Sequence, residues 1–312
     1  MKDVQIGVGG KLDRLPIKMF SPDMFIGSPS IVMIAKRGSG KSWIVRALLE
    51  HFKNIPVGCI IAPTDKESGF YGEFFPETYI HYEFKPETLE KIFARQSLIK
   101  DKAKQKELEG KTIDTRSFVV MDDCLASKSA WLKDPTIQKI FFNGRHYEIM
   151  YILTMQFPLG ITPDLRSNFD YIFLLAEDIV SNQKRIYEHY AGMFPTFEAF
   201  RQVFAQLTDD FGAMVIVNRG AKKTFFDKIF WYKAPNLENM HTTFGHKQFD
   251  DFHKQNFNED WKKSSGGFNV DEYMMRKKKN KGRITIDKVK NTHGMSETSG
   301  DQYKMTINKS KK

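Results

Sequence analysis

Apolar residues in this chain gather in short, nearly continuous runs, at 31–35, 57–62, 118–121, 150–155, 170–175 and 213–217. Runs of four to six such residues fit strands buried on both faces, because a strand with one wet face would alternate apolar and polar positions. The longer stretches between them carry apolar residues at helical spacing. Residues 42–52 read as one helix and 87–107 as another, with Leu89, Ile92, Phe93 and Ile99 forming its stripe. A third helix is predicted over 134–147 from Ile137, Ile140 and Phe141. Residues 178–207 hold one or two helices, split near Gly192 and Pro195. A further, partly exposed strand is expected at 226–232. Strand and helix alternating through residues 30–220 predict one doubly wound, mainly parallel α/β domain.

The flanks lack this alternation. Residues 1–30 hold Gly7, Gly9, Gly10, Pro16, Pro22 and Pro29, and read as a lead-in with a short extended piece at 15–19. Residues 63–80 are rich in Gly, Pro and aromatics and read as a surface excursion. Beyond Pro235 periodicity fades. The organisation expected is an extension at 1–27, the α/β domain at 28–235, a C-terminal extension at 236–275 and a basic, disordered tail at 276–312. No internal repeat is visible.

Composition changes this picture in one respect. The chain has 312 residues and is 41% hydrophobic, enough for a large core. No apolar run approaches the roughly 18 residues that span a bilayer, and the N-terminus has no signal-peptide core. The two cysteines, Cys59 and Cys124, suggest neither a disulfide framework nor a metal cluster. The formal charge of +10 is concentrated at the end: residues 276–312 carry twelve Lys and Arg against three Asp and Glu. Such a tail either attracts nucleic acid through its phosphates or remains a solvated terminus.

The chemistry centres on IVMIAKRGSGKS, residues 31–42. A strand, a glycine-bearing turn and a helix are the context a phosphate-binding loop requires. Lys36, Arg37, Gly38, Ser39 and Gly40 would wrap backbone N–H groups around a phosphate chain, next to the positive end of the helix. Lys41 would reach the β- and γ-phosphates of ATP, and Ser42 would hold Mg²⁺. Ala35 stands where the usual pattern has its first glycine, which is tolerable if the backbone there avoids positive φ. RSFVVMDD supplies Asp122, suited to order Mg²⁺, and Asp123, a candidate general base one methylene shorter than glutamate. Gln156 ends the strand YILTMQ, where a neutral amide can orient water or sense the γ-phosphate. All of these fall at strand carboxyl ends, where α/β sheets bind ligands.

Other candidates are weaker. FFNGRH places Arg145 and His146 after a helix, where Arg145 could serve a neighbouring subunit as an arginine finger; Arg166 and Arg219 are alternatives. His241, His246 and His253 do not have metal-site spacing. Trp43 reads as core beneath the loop. Tyr71, Phe74 and Phe75 fit either a contact surface or core burial.

The order AKRGSGKS, FVVMDD, FFNGRH, ILTMQF, with VNRG later, resembles the genome-packaging ATPases of large double-stranded DNA viruses and virophages. These belong to the FtsK–HerA group of P-loop motors, of which the poxvirus packaging ATPase is a familiar member. The resemblance covers roughly residues 28–235. It implies a RecA-like P-loop fold and ATP hydrolysis with Mg²⁺, coupled to translocation of duplex DNA into a capsid. It also implies a pentameric or hexameric ring, partners at a capsid portal, and a location in the virion or at a cytoplasmic assembly site. Lys41, Ser42, Asp122, Asp123 and Gln156 fall on the family's motif positions, and Arg145 on its intervening arginine. Other readings are a different P-loop enzyme, such as a helicase or nucleotide kinase, and a nucleotide-binding capsid scaffold.

Overall fold

The computed structural model describes residues 2–8, 11–124, 128–220, 224–238 and 242–258, and the residue pairs 286–287 and 304–305. Two compact units divide the chain, Met1–Gln255 and Asn256–Lys312. In the first, a hairpin pairs β1 (Lys2–Val8) with β2 (Lys11–Ile17). The main sheet then takes β3 (Ser30–Ile34), β4 (Val57–Ile61), β5 (Ile80–His81), β6 (Ser117–Asp122), β7 (Ile149–Met155), β8 (Tyr171–Leu175), β9 (Ala213–Val217) and β10 (Ile229–Tyr232). Their spatial order is β10-β9-β8-β3-β7-β6-β4-β5. The six strands from β8 to β5 run parallel, and β9 and β10 are antiparallel additions at one edge. In the second unit β11 (Ile286–Asp287) pairs antiparallel with β12 (Lys304–Met305).

The helices are α1 (Lys41–His51), α2 (Asp65–Ser68), α3 (Pro86–Leu108), α4 (Lys128–Lys133), α5 (Pro135–Asn143), α6 (Pro163–Arg166), α7 (Val180–Tyr190), α8 (Phe197–Leu207) and α9 (Lys247–Asn256). They cover the sheet unequally. One face packs Val32, Val119, Leu153 and Ile172 against α3, α5, α7 and α8. The other packs Ile31, Met33, Val120 and Phe173 against α1, with Phe244 and Phe249 from the C-terminal end of the same unit. Residues that alternate along each strand therefore enter different cores, as the pleat requires. This explains the continuous apolar runs. The split between α7 and α8 falls at residues 191–196, as predicted.

Four expectations change. The lead-in holds a full hairpin, and the segment after it joins the core. Phe20 is fully buried among Phe25, Tyr171, Phe173 and Phe230. Its amide donates to the Trp231 carbonyl at 2.8 Å, so residues 18–20 shield β10, which is buried rather than partly exposed. Residues 63–80 are no surface excursion, because Tyr71 and Phe75 are buried. Residues 236–270 include α9, whose Phe249 anchors it against the ring of Tyr79 at 3.7 Å. The rest of that stretch and most of the basic tail lie outside the described residues.

Candidate active site

The sequence from Ala35 to Ser42 builds a phosphate-type loop between β3 and α1. Ala35 is buried and its N–H donates to the Met155 carbonyl at 3.0 Å, which ties the loop's start to β7. It is not among the positive-φ residues; the loop's left-handed positions are Gly38 (φ 73°) and Gly40 (φ 89°). The missing first glycine is therefore not needed for backbone shape. Ser39 donates its hydroxyl to the Lys36 carbonyl at 2.7 Å, which closes the turn. Lys36 pairs with Asp178 and Arg37 is exposed. Gly40 caps α1 without a side chain, so the first-turn N–H groups have no side-chain acceptor. Unpaired N–H groups at a helix's positive end suit an anion.

Three neighbouring strand ends meet at Lys41. β6 delivers Asp122, which is 5% exposed, and a left-handed turn at Asp123 (φ 51°) swings the second carboxylate toward the same point. The Lys41 ammonium lies 3.0 Å from Asp122 Oδ1 and 2.6 Å from Asp123 Oδ2. β7 delivers Gln156, whose Nε2 donates to Asp123 Oδ2 at 3.0 Å. The loop lysine, both aspartates and the strand-end glutamine thus form one contiguous cluster. Ser42, in the first turn of α1, lines the same cavity, of about 810 Å³. Trp43 also lines it; it is half-buried, not core, and sits edge-on to Phe70 with centroids 6.0 Å apart.

Sequence reasoning missed three groups that hold this cluster. Thr154 is fully buried one strand over; its hydroxyl donates to Asp122 Oδ1 and accepts the Asp123 N–H at 3.1 Å. Tyr71 donates its hydroxyl to Asp122 Oδ2 at 3.0 Å. Burial first, and then the Asp122 carboxylate, raise the Tyr71 phenol well above its ordinary range, so it stays a donor. Asp65, itself buried, accepts the Phe70 and Tyr71 N–H groups at 2.8 and 3.2 Å and so fixes the turn that presents the phenol. A threonine inside the apolar run YILTMQ was the one visible signal. Nothing in the pattern of residues 63–80 marks Asp65, and the core burial open to Tyr71 from sequence carried no sign that its hydroxyl meets Asp122.

The proposed arginines are placed elsewhere. Arg145 is exposed in a short 3-10 turn (Gly144–Tyr147) before β7, at the opposite strand end from Gln156. The seven residues of β7 put it about 20 Å from Lys41. Arg219 donates to the Ile26 carbonyl at 2.8 Å at that same far edge, and Arg166 stacks over Tyr190. Among the described residues no group of three or more His, Cys, Asp and Glu could hold a metal by itself. His253 meets Thr78 at 2.7 Å, and His241 lies outside the described residues. Both cysteines are free and buried, and burial pushes the Cys59 thiol up to about 12.

No protein-family model matches the chain. Protein L437 of Acanthamoeba polyphaga mimivirus is 47% identical over 249 residues, covering 80% of this chain and 87% of its own length. Protein 088R of Invertebrate iridescent virus 3 is 34% identical, covering 74% and 87%. Protein 075L of Invertebrate iridescent virus 6 is 32% identical, covering 77% and 90%. The chain belongs to this family of large-virus proteins. Among solved structures, the genome packaging NTPase B204 of Sulfolobus turreted icosahedral virus 2 with AMPPCP is 15% identical, with a TM-score of 0.46 over 69% of this chain and all of that one. The conjugation coupling protein TcpA of pCW3 with ATPγS is 17% identical, with a TM-score of 0.45 over 75% of this chain and 65% of that one.

Proposed function

We propose that this viral family member is a Mg²⁺-dependent ATPase that drives duplex DNA into a capsid during virus assembly. The observation that carries the ATPase reading is the meeting of Lys41, Asp122, Asp123 and Gln156 at the carboxyl ends of β6 and β7 beside the loop after β3. The packaging reading is supported by the order of motifs along the chain, and it suits relatives drawn from large DNA viruses.

The residues suit a divalent cation. A serine hydroxyl and a carboxylate are hard oxygen donors, and the Lys41 ammonium already stands as the cation between two carboxylates. Ser42 and Asp122 would hold Mg²⁺, which supplies charge neutralisation for the β- and γ-phosphate oxygens. Both Asp122 oxygens already accept hydroxyl protons, from Thr154 and Tyr71, so Asp122 favours metal-bound water over direct coordination. On nucleotide binding Lys41 exchanges its carboxylate partners for phosphate oxygens. That frees Asp123 to accept a proton from the attacking water, with the Gln156 amide holding their alignment.

The test is ATP turnover by the full-length chain with Mg²⁺. Lys41→Ala and Asp123→Asn should each reduce turnover by on the order of 10²-fold or more. Asp123→Asn should still bind ATP. Wild-type turnover unchanged by either substitution would overturn the assignment.

A further inference from the structure

The cavity extends past the phosphate loop to a wall that the proposed catalysis does not use. Its rim is formed by Phe211 and by Lys233, Ala234, Pro235, Asn236 and Glu238 of the strap (residues 233–238) that leaves β10. Phe211 is 61% exposed and belongs to neither hydrophobic core. It is nevertheless held in a built turn. Asp210 (φ 50°) and Phe211 (φ 59°) are both left-handed without being glycine, a conformation that costs stability. The Asp210 N–H donates to its neighbour Asp209 at 2.9 Å, and Lys233 of the strap pairs with Asp210. Gly212 closes the turn, where a Cβ would stand 2.4 Å from the Leu207 carbonyl. The fold thus holds a strained loop to present an aromatic ring to solvent. The ring lies over the phosphate loop: a Cβ on Gly40 would sit 3.3 Å from its Cδ1.

The strap is equally fixed. The buried Arg46 of α1 donates to the Leu237 carbonyl at 2.9 Å, and its guanidinium lies 5.3 Å from the Trp43 ring. The exposed Asn236 uses its Oδ1 to accept the Glu238 N–H at 3.0 Å, and its amide N–H groups are the donors it can offer a ligand. A flat apolar face and an amide's hydrogen-bonding edge in the same cavity as an anion site match a nucleobase.

We propose that Phe211 and the strap residues Ala234, Pro235 and Asn236 form a purine subsite, with Phe211 stacking on the base. The inference rests on reading the loop after β3 as a triphosphate site. Stacking a larger ring system on Phe211 favours purine over pyrimidine. The experiment is calorimetric titration of the full-length chain with Mg²⁺ and, separately, ATP, CTP and inorganic tripolyphosphate. Wild type should bind ATP more tightly than CTP or tripolyphosphate. Phe211→Ala should weaken ATP by about tenfold and leave tripolyphosphate unchanged, while Phe211→Tyr should retain ATP affinity. Unchanged ATP affinity in Phe211→Ala, or an equal loss for tripolyphosphate, would overturn the subsite. A wild-type chain that binds neither ATP nor tripolyphosphate would instead overturn the phosphate site beneath it.

Discussion

Asp122 is held by groups from three directions: Lys41, Thr154 and Tyr71. A carboxylate restrained at both oxygens keeps one rotamer, which is what ordering a metal's water shell requires. Tyr71→Phe removes one of these donors and little volume. It should therefore raise the Mg²⁺ concentration needed for half-maximal turnover by about tenfold, and lower the melting temperature by only a few degrees. A Mg²⁺ profile identical to wild type would show that Tyr71 only packs. This residue also marks the limit of what the sequence disclosed. Lys41, Asp122, Asp123 and Gln156 were legible because each ends an apolar run or follows a glycine-bearing turn. Tyr71 and Asp65 were not, because their roles depend on a long-range approach between the β4–β5 connection and β6 that no local pattern encodes. Phe211 was hidden for a similar reason: its significance lies in a left-handed backbone and in exposure, neither of which is a compositional signal.

At the scale of elements, the continuous apolar runs predicted the parallel strands well because both faces of the sheet are covered, one by α3, α5, α7 and α8 and the other by α1 with Phe244 and Phe249. The hairpin at β1 and β2 and the helix α9 were less visible. The glycines and prolines of the first segment obscured alternation, and α9 buries only Phe249. The edge strand β5 carries a pH-sensitive feature. Burial first, then Lys91 and Lys85, lower His81 to about 4. The unfolded chain takes up this proton near pH 6.5 and the folded chain does not, so the unfolded state binds more protons between these values. Stability contributed at His81 is complete above pH 6.5 and is lost as pH falls toward 4. Because the side chain retains some exposure, the loss by pH 5 should be on the order of 1–2 kcal/mol. Urea unfolding at pH 7.5 and pH 5.0 checks this: His81→Gln should remove that share of the difference. A His81→Gln protein with the same pH dependence as wild type would assign the effect elsewhere.

For the whole molecule, the unequal covering of the sheet matters most. α1 shares its face with Phe244 and Phe249, and Ala234 of the strap both packs against that core and lines the cavity beside the loop after β3. Among the described residues, no helix is long and apolar enough to cross a membrane. Arg145, at the opposite strand end from Lys41, can reach the proposed site only across an interface between copies of the chain. If it does, Arg145→Ala should keep ATP binding and lose about 10³-fold in turnover; retained turnover would remove it from the catalytic set. The basic segment at 276–312 should add salt-sensitive affinity for duplex DNA. Its deletion should flatten the dependence of log affinity on log salt by about 0.9 for each DNA phosphate that the segment neutralises, and an unchanged slope would assign the segment another role.

The central claim is that ATP hydrolysis at Lys41, Asp122 and Asp123 moves duplex DNA. Displacement of a third strand from a long linear duplex by the full-length chain tests it most directly, read beside Lys41→Ala and beside turnover measured across protein concentration. The account predicts ATP-dependent displacement that is absent in Lys41→Ala, together with turnover that duplex stimulates and that rises steeply with concentration. Turnover that is indifferent to duplex and to concentration, with no third-strand displacement, would contradict it.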